Sequence, residues 1–139
     1  MTKRKFRFIE DLTSDVMFEA YGKNLEEVFE NAAEAMFNII CDIKKVGQKQ
    51  TVEIKTRANN PERLMINWLQ ELITAVDLKE MFFSKFKVIE IDDRHLKAKC
   101  WGEPITPAKG ETVVKAVTYY KYKFERTKKG YVERVSLDI

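Results

Sequence analysis

Three aspartates stand where the chain turns or ends: Asp11 and Asp15 flank a short polar connection, and Asp138 is the penultimate residue, followed by Ile139. Carboxylates combined with a main-chain or terminal oxygen are hard donors, suited to Ca²⁺, Mg²⁺ or Mn²⁺ rather than to zinc. In the last alternating stretch, Val135, Leu137 and Ile139 point one way and Arg134, Ser136 and Asp138 the other, which sets Asp138 on a polar face at the end of a strand. Aspartates near turns and termini are also commonly just hydrated, so residue type alone leaves a metal site and a solvated end both open.

A second feature is the segment from Lys115 to Lys123, Lys-Ala-Val-Thr-Tyr-Tyr-Lys-Tyr-Lys. Strict alternation would give Lys115, Val117, Tyr119, Lys121 and Lys123 one face, and Ala116, Thr118, Tyr120, Tyr122 and Phe124 the other. Lysine interleaved with tyrosine suits phosphate contact and base stacking. Hydrated lysines beside packed rings give an ordinary strand with the same pattern.

Other chemistries are poorly supplied. The chain has one histidine, His95, no Cys/His cluster at zinc spacing, no G-x-x-x-x-G-K-[ST] loop and no G-x-G-x-x-G after a strand. Five glycines leave little from which to build a phosphate cradle. A serine or cysteine nucleophile would need His95, a carboxylate or a lysine as its base. Catalysis by this chain alone is not expected. The net charge of +3 is too small to argue for nucleic-acid binding by itself. No stretch approaches the roughly 20 apolar residues of a membrane span. Two distant cysteines, Cys41 and Cys100, fit a reduced, cytoplasmic protein.

The elements that would position these residues follow from periodicity. Phe6 to Glu10 and Val16 to Tyr21 read as strands, the second stopped by Gly22. Asn24 with Glu27 three residues on marks a helix start, and Leu25, Val28, Phe29, Ala32, Ala35, Met36, Ile39 and Ile40 form its apolar stripe. Thr51 to Arg57 alternates again. Asn60-Pro61 opens a second helix whose buried face runs from Leu64 to Val76. Phe83 to Ile91 and Leu96 to Trp101 are strands about the turn at Asp92, with Cys100 a small core residue; Gly102 to Gly110 reads as a loop. Val113 to Glu125 and Tyr131 to Ile139 close the chain as a hairpin. The expected fold is a single α+β domain over residues 1–139, two helices packed on a mainly antiparallel β-sheet.

Four segments together resemble the archease family. Asp11-Leu12-Thr13-Ser14-Asp15-Val16 is similar to the family's Asp/Glu-His-Thr-Ala-Asp-Ile signature, and Tyr21-Gly22 with Leu25 to Phe37 to its first helix. Val114 to Tyr119 is similar to its Lys-Ala-Leu/Ile-Thr-Tyr-His strand, and Asp138-Ile139 to its chain-terminal Asp-Ile. Leu12 and Tyr120 stand where most members carry histidine, and Ser14 replaces an alanine.

That resemblance implies a divalent-metal site on Asp15, Asp138 and the backbone oxygen of Ile139, with Ca²⁺ the first expectation and Mn²⁺ or Mg²⁺ the alternatives. Asp11, Lys115, Thr118 and Tyr120 would lie beside the metal or at a partner contact. It implies an accessory protein of the RtcB-type RNA ligase of tRNA splicing and RNA repair, which joins a 3′-phosphate or 2′,3′-cyclic phosphate end to a 5′-hydroxyl end through a histidine guanylylated from GTP with Mn²⁺. The accessory protein would promote that guanylylation and restore multiple turnover, reaching RNA through the ligase. The competing expectation is an RNA-binding or chaperone-like module using the Lys115 to Lys123 strand.

Overall fold

Both helices begin where capping chemistry places them. In the computed structural model, which describes residues 4–10 and 16–139, the first helix, α1, runs Leu25–Ile40. The Asn24 side chain accepts the Glu27 N–H at 2.9 Å, satisfying one of the donors a helix start leaves unpaired. The second helix, α2, runs Pro61–Lys79; the Asn60 side chain accepts the Arg63 N–H at 2.8 Å, and Pro61 occupies the first turn, where its missing N–H costs nothing. Trp68 is fully buried on α2 and donates its indole N–H to the Phe29 carbonyl at 3.0 Å, tying the helices together.

Among the described residues, seven strands complete the fold: β1 Phe6–Ile9, β2 Val16–Gly22, β3 Gln50–Arg57, β4 Met81–Ile91, β5 His95–Pro104, β6 Ala116–Thr127 and β7 Gly130–Asp138. Every strand pairing is antiparallel, as expected, but the strands form two sheets rather than one: β1-β2-β7-β6 and β3-β5-β4. Alternation states which residues of a strand face inward but carries no record of which strand it pairs with. Helix α1 packs against both sheets, which is why Val28, Asn31, Ala33, Ala35 and Phe37 are all buried although they surround its axis.

Strand β5 continues through Gly102 into the expected loop. A β-carbon at Gly102 would lie 1.9 Å from the Phe82 carbonyl oxygen, so glycine lets β4 approach there. Beyond it, the buried Glu103 carboxylate accepts the Gly47 N–H and the Lys109 ammonium. These two bonds hold its titration below the ordinary carboxylate range against the opposing effect of burial. Cys41 and Cys100 are buried free thiols, each pushed by burial to about 12, and Cys100 is the core residue its alternation suggested. No helix among the described residues is long and apolar enough to cross a membrane.

Candidate metal and partner site

The end of β7 is built by three strands. Val16 opens β2 opposite Leu137, and Ala116 opens β6 opposite Asp138. The Asp138 carbonyl accepts the Lys115 N–H at 2.7 Å, so Lys115 is tied to this end through its backbone. Asp138 is half-buried, whereas Ile139 is 39% exposed. Asp11 and Asp15 lie outside the described residues. Among the described residues, no group of three His, Cys, Asp or Glu could hold a metal ion. The described part of the expected donor set is therefore the Asp138 carboxylate and the Ile139 oxygen, two hard donors on adjacent residues.

Thr118 and Tyr120 reach the same neighbourhood by an irregular route. Thr118 pairs with Ser136 and Lys123 with Arg134, so residues 119–122 stand opposite Val135 alone. This insertion is larger than the single extra residue of an ordinary bulge, and Lys121 takes a left-handed conformation at φ 51°. Side chains of β7 satisfy the displaced carbonyls. The Ser136 hydroxyl donates to the Tyr120 carbonyl at 2.9 Å, and Arg134 Nε donates to the Lys121 carbonyl at 3.0 Å. Thr118 Oγ1 donates to the Ser136 carbonyl at 3.4 Å, a long bond.

The insertion overturns the expected facing of residues 115–123. An odd number of extra residues reverses the alternation, so Val117 and Phe124 share the inner face with Leu137 and Glu133, and Lys123 joins Thr118 on the outer face. Tyr119 and Tyr122 meet edge to face at 5.9 Å instead of pointing apart. Tyr122 donates its hydroxyl to the Glu62 carbonyl of α2 at 2.6 Å, and the Arg63 guanidinium lies 5.8 Å from the Tyr119 ring centre. Lys121 Nζ lies 5.4 Å from the Tyr120 ring centre, and Lys123 pairs with Glu125 at 3.5 Å. The strict alternation that would align Lys121 and Lys123 with Val117 is thus broken between Thr118 and Lys123. No glycine marks the insertion; the hint in the sequence is that Val117 and Phe124, both large and apolar, have opposite parity.

Ser136 is only 2% exposed, a buried hydroxyl whose function is to hold this insertion. Ser136→Ala is expected to leave the Tyr120 carbonyl without that donor and to cost roughly 1–2 kcal/mol. Urea unfolding checks the stability, and limited proteolysis should cut faster within residues 119–122. Unchanged stability and cleavage would remove Ser136 as the clamp.

Two carboxylates flank this strand on opposite faces. On the outer face, burial alone would raise the Glu19 carboxyl, but hydrogen bonds from Tyr21 at 2.9 Å and Arg7 Nε at 3.1 Å, with the charges of Arg7 and Arg134, bring it below its ordinary range. On the inner face, Glu133 is fully buried between its strand neighbours Ala20 and Phe124, and neither carboxyl oxygen has a hydrogen-bond partner among the described residues. Burial, reinforced by the charge of Glu19, pushes its carboxyl well above the ordinary range, so it is held as a neutral acid. Its parity with Val135 and Leu137 is the signal in the sequence that places it inward.

Comparison with known proteins agrees with this architecture. The family model described as Archease protein family (MTH1598/TM1083) matches residues 6–139. A protein archease of Sulfurisphaera tokodaii is 41% identical over 140 residues, covering 98% of this chain and 99% of that protein. One of Methanosarcina mazei is 39% identical over 142 residues, covering 98% and 97%. The solution structure of Methanobacterium thermoautotrophicum protein 1598 superposes with a TM-score of 0.80 at 35% identity, covering 97% of this chain and 99% of that one. A Thermotoga maritima crystal structure, described as an archease and possible chaperone, shares the fold at a TM-score of 0.68 and 20% identity, covering 96% and 97%.

Proposed function

The chain belongs to the archease family, and we propose that it is a cytoplasmic accessory protein of an RtcB-type RNA ligase, promoting guanylylation of the ligase and its multiple turnover. The observation that carries this reading is the pairing of Val16 with Leu137: it joins the chain positions next to Asp15 and next to Asp138 at one end of the sheet.

Asp138 and Ile139, with Asp15, would hold the divalent ion, and their hard oxygens fit Ca²⁺, Mn²⁺ or Mg²⁺. A divalent ion bound there would supply positive charge to a triphosphate. The protein's own contribution is positional. The bond from the Lys115 N–H anchors the main chain of Asp138, and pairing with Ala116 sets the direction in which its side chain leaves the strand. An exposed rim suits insertion into a partner's cleft, where orientation of reacting groups is worth more than added affinity. The alternative RNA-binding reading of residues 115–123 is weakened, because the insertion breaks the alternation from which their common face was expected.

The test is multiple-turnover ligation by the ligase of the same organism, with GTP and Mn²⁺, in the presence and absence of this protein. The expected result is a single burst without the protein and continued product formation with it. Identical time courses would overturn the reading.

A further inference from the structure

The three-stranded sheet turns Ile54, Val88, Ala98 and Cys100 into the core. The same alternation sends Lys55, Arg57, Lys85, Lys87, Lys97 and Lys99 to its other face, all exposed except the half-buried Lys97. Only two exposed carboxylates, Glu53 and Glu90, share those strand rows, so the face is more positive than the +3 of the whole chain. Asp92 lies at the rim, its carboxylate accepting the N–H groups of Arg94 and His95.

Two features mark this as more than a hydrated surface. Lys55 lies directly across from Lys97, and Lys87 directly across from Lys99; on their other sides Lys97 faces Glu90 and Lys99 faces Glu53, whose carboxylate also lies 3.7 Å from Lys55 Nζ, so the carboxylates offset this crowding only in part. Like charges in such cross-strand positions destabilise a sheet. At one end of these rows, on the middle strand and across from Thr51 and Lys85, stands the half-buried Trp101, with Lys85 Nζ 4.7 Å and Lys99 Nζ 5.3 Å from its ring centre.

We propose that this sheet face binds single-stranded nucleic acid, with its lysines on the phosphates and Trp101 stacking a base. Successive cations on one strand are about 6.8 Å apart, close to the spacing of phosphates along a nucleic-acid strand. A row of cations ending on an aromatic ring is an arrangement that holds single strands without reading sequence. A protein partner fits less well, because lysine is depleted at the desolvated centres of protein interfaces. The proposal does not depend on the ligase reading, and it is tested without a ligase.

The experiment measures fluorescence anisotropy of a labelled oligouridylate, and of its DNA counterpart, over a series of salt concentrations. The variant is Lys55→Glu with Lys87→Glu, which turns both opposed like-charge pairs into opposite-charge pairs. The exchange removes two like-charge pairs and gives up the exposed Lys55–Glu53 ion pair, so thermal stability should stay close to that of the parent protein, and a melting curve of the variant checks that lost binding does not come from lost folding. Affinity should fall at least roughly tenfold, and the salt dependence should flatten by about 1.4 in log–log slope, the loss of two phosphate contacts. Lys128→Glu with Lys129→Glu, in the β6–β7 turn, should keep most of the affinity. Because Trp68 is fully buried, quenching of tryptophan fluorescence by the oligonucleotide reports Trp101. Equal affinity for RNA and DNA supports a contact with phosphates and bases; a preference for RNA adds the 2′-hydroxyl to it. No salt-dependent binding, equal loss in both double variants, or a polyglutamate peptide that binds as tightly and quenches equally would overturn the proposal.

Discussion

With Asp138→Asn in place of the parent protein, the ligase is expected to accumulate its guanylylated form no faster than without any added protein. The fold should survive, because Asp138 is held in the sheet through its carbonyl, which accepts the Lys115 N–H, and asparagine keeps that carbonyl. What changes is the side chain: one carboxylate oxygen remains as an amide oxygen, and the charge that a hard cation favours is gone. Substitution of groups that merely orient metal ligands typically costs 10–100-fold in affinity or activity, so loss of a direct ligand should cost at least about tenfold. Calorimetric titration with Ca²⁺ and Mn²⁺ reads the metal, and time courses of guanylylated ligase read the function. Asp15→Ala should behave the same way, although it makes a positively charged protein more positive and would, if anything, strengthen RNA attraction. Unchanged metal affinity together with full stimulation in Asp138→Asn would remove the strand end from both metal binding and activation.

Glu133→Leu is expected to stabilise the protein, by an amount that grows with pH. The folded state holds the Glu133 carboxyl protonated well above the range in which the unfolded chain ionises it. Below the ordinary carboxyl range both states carry the proton and the folded state has no handicap. Above that range only the unfolded chain releases it, and the parent protein loses about 1.4 kcal/mol per pH unit until the folded group itself ionises. Beside burial, the charge acting on Glu133 is that of Glu19, and Glu133 in turn adds to the burial that pushes up the Tyr122 phenol. Glu19 titrates in the opposite sense, losing stabilisation as pH falls, but it is present in both proteins and largely cancels in their difference. The gap in urea stability between Glu133→Leu and the parent should therefore widen from pH 4.5 toward pH 7. Glu133→Gln should also remove the slope, yet remain below Glu133→Leu by roughly 1–3 kcal/mol, since a buried amide without partners keeps a desolvation cost. Parallel stability curves for the parent and Glu133→Leu would show that Glu133 is not held neutral.

The sequence alone determined the local structure and the family. Asn24 and Asn60-Pro61 cap their helices because a short polar side chain or a proline satisfies a helix start from within a few residues, and those contacts need no distant partner. The apolar stripes of α1 and α2 and the inward alternation of Ile54, Ala98 and Cys100 are properties of periodicity, and the structure keeps them. Asp138-Ile139 was singled out by residue type and position, while its assignment with Asp15 as a ligand set came from the resemblance. Tertiary structure decided everything that depends on pairing between distant strands. It divided the strands into two sheets, and it set residues 119–122 opposite Val135, where Ser136 and Arg134 satisfy carbonyls that no local pattern marks as displaced. That insertion broke the alternation behind the expected lysine face of β6, while pairing of β3, β5 and β4 assembled another from lysines that are unremarkable in each strand by itself. The physical reason is that a side chain's face follows from alternation along its own strand, whereas its neighbours follow from register, and one inserted residue is enough to reverse the first without leaving a trace in composition.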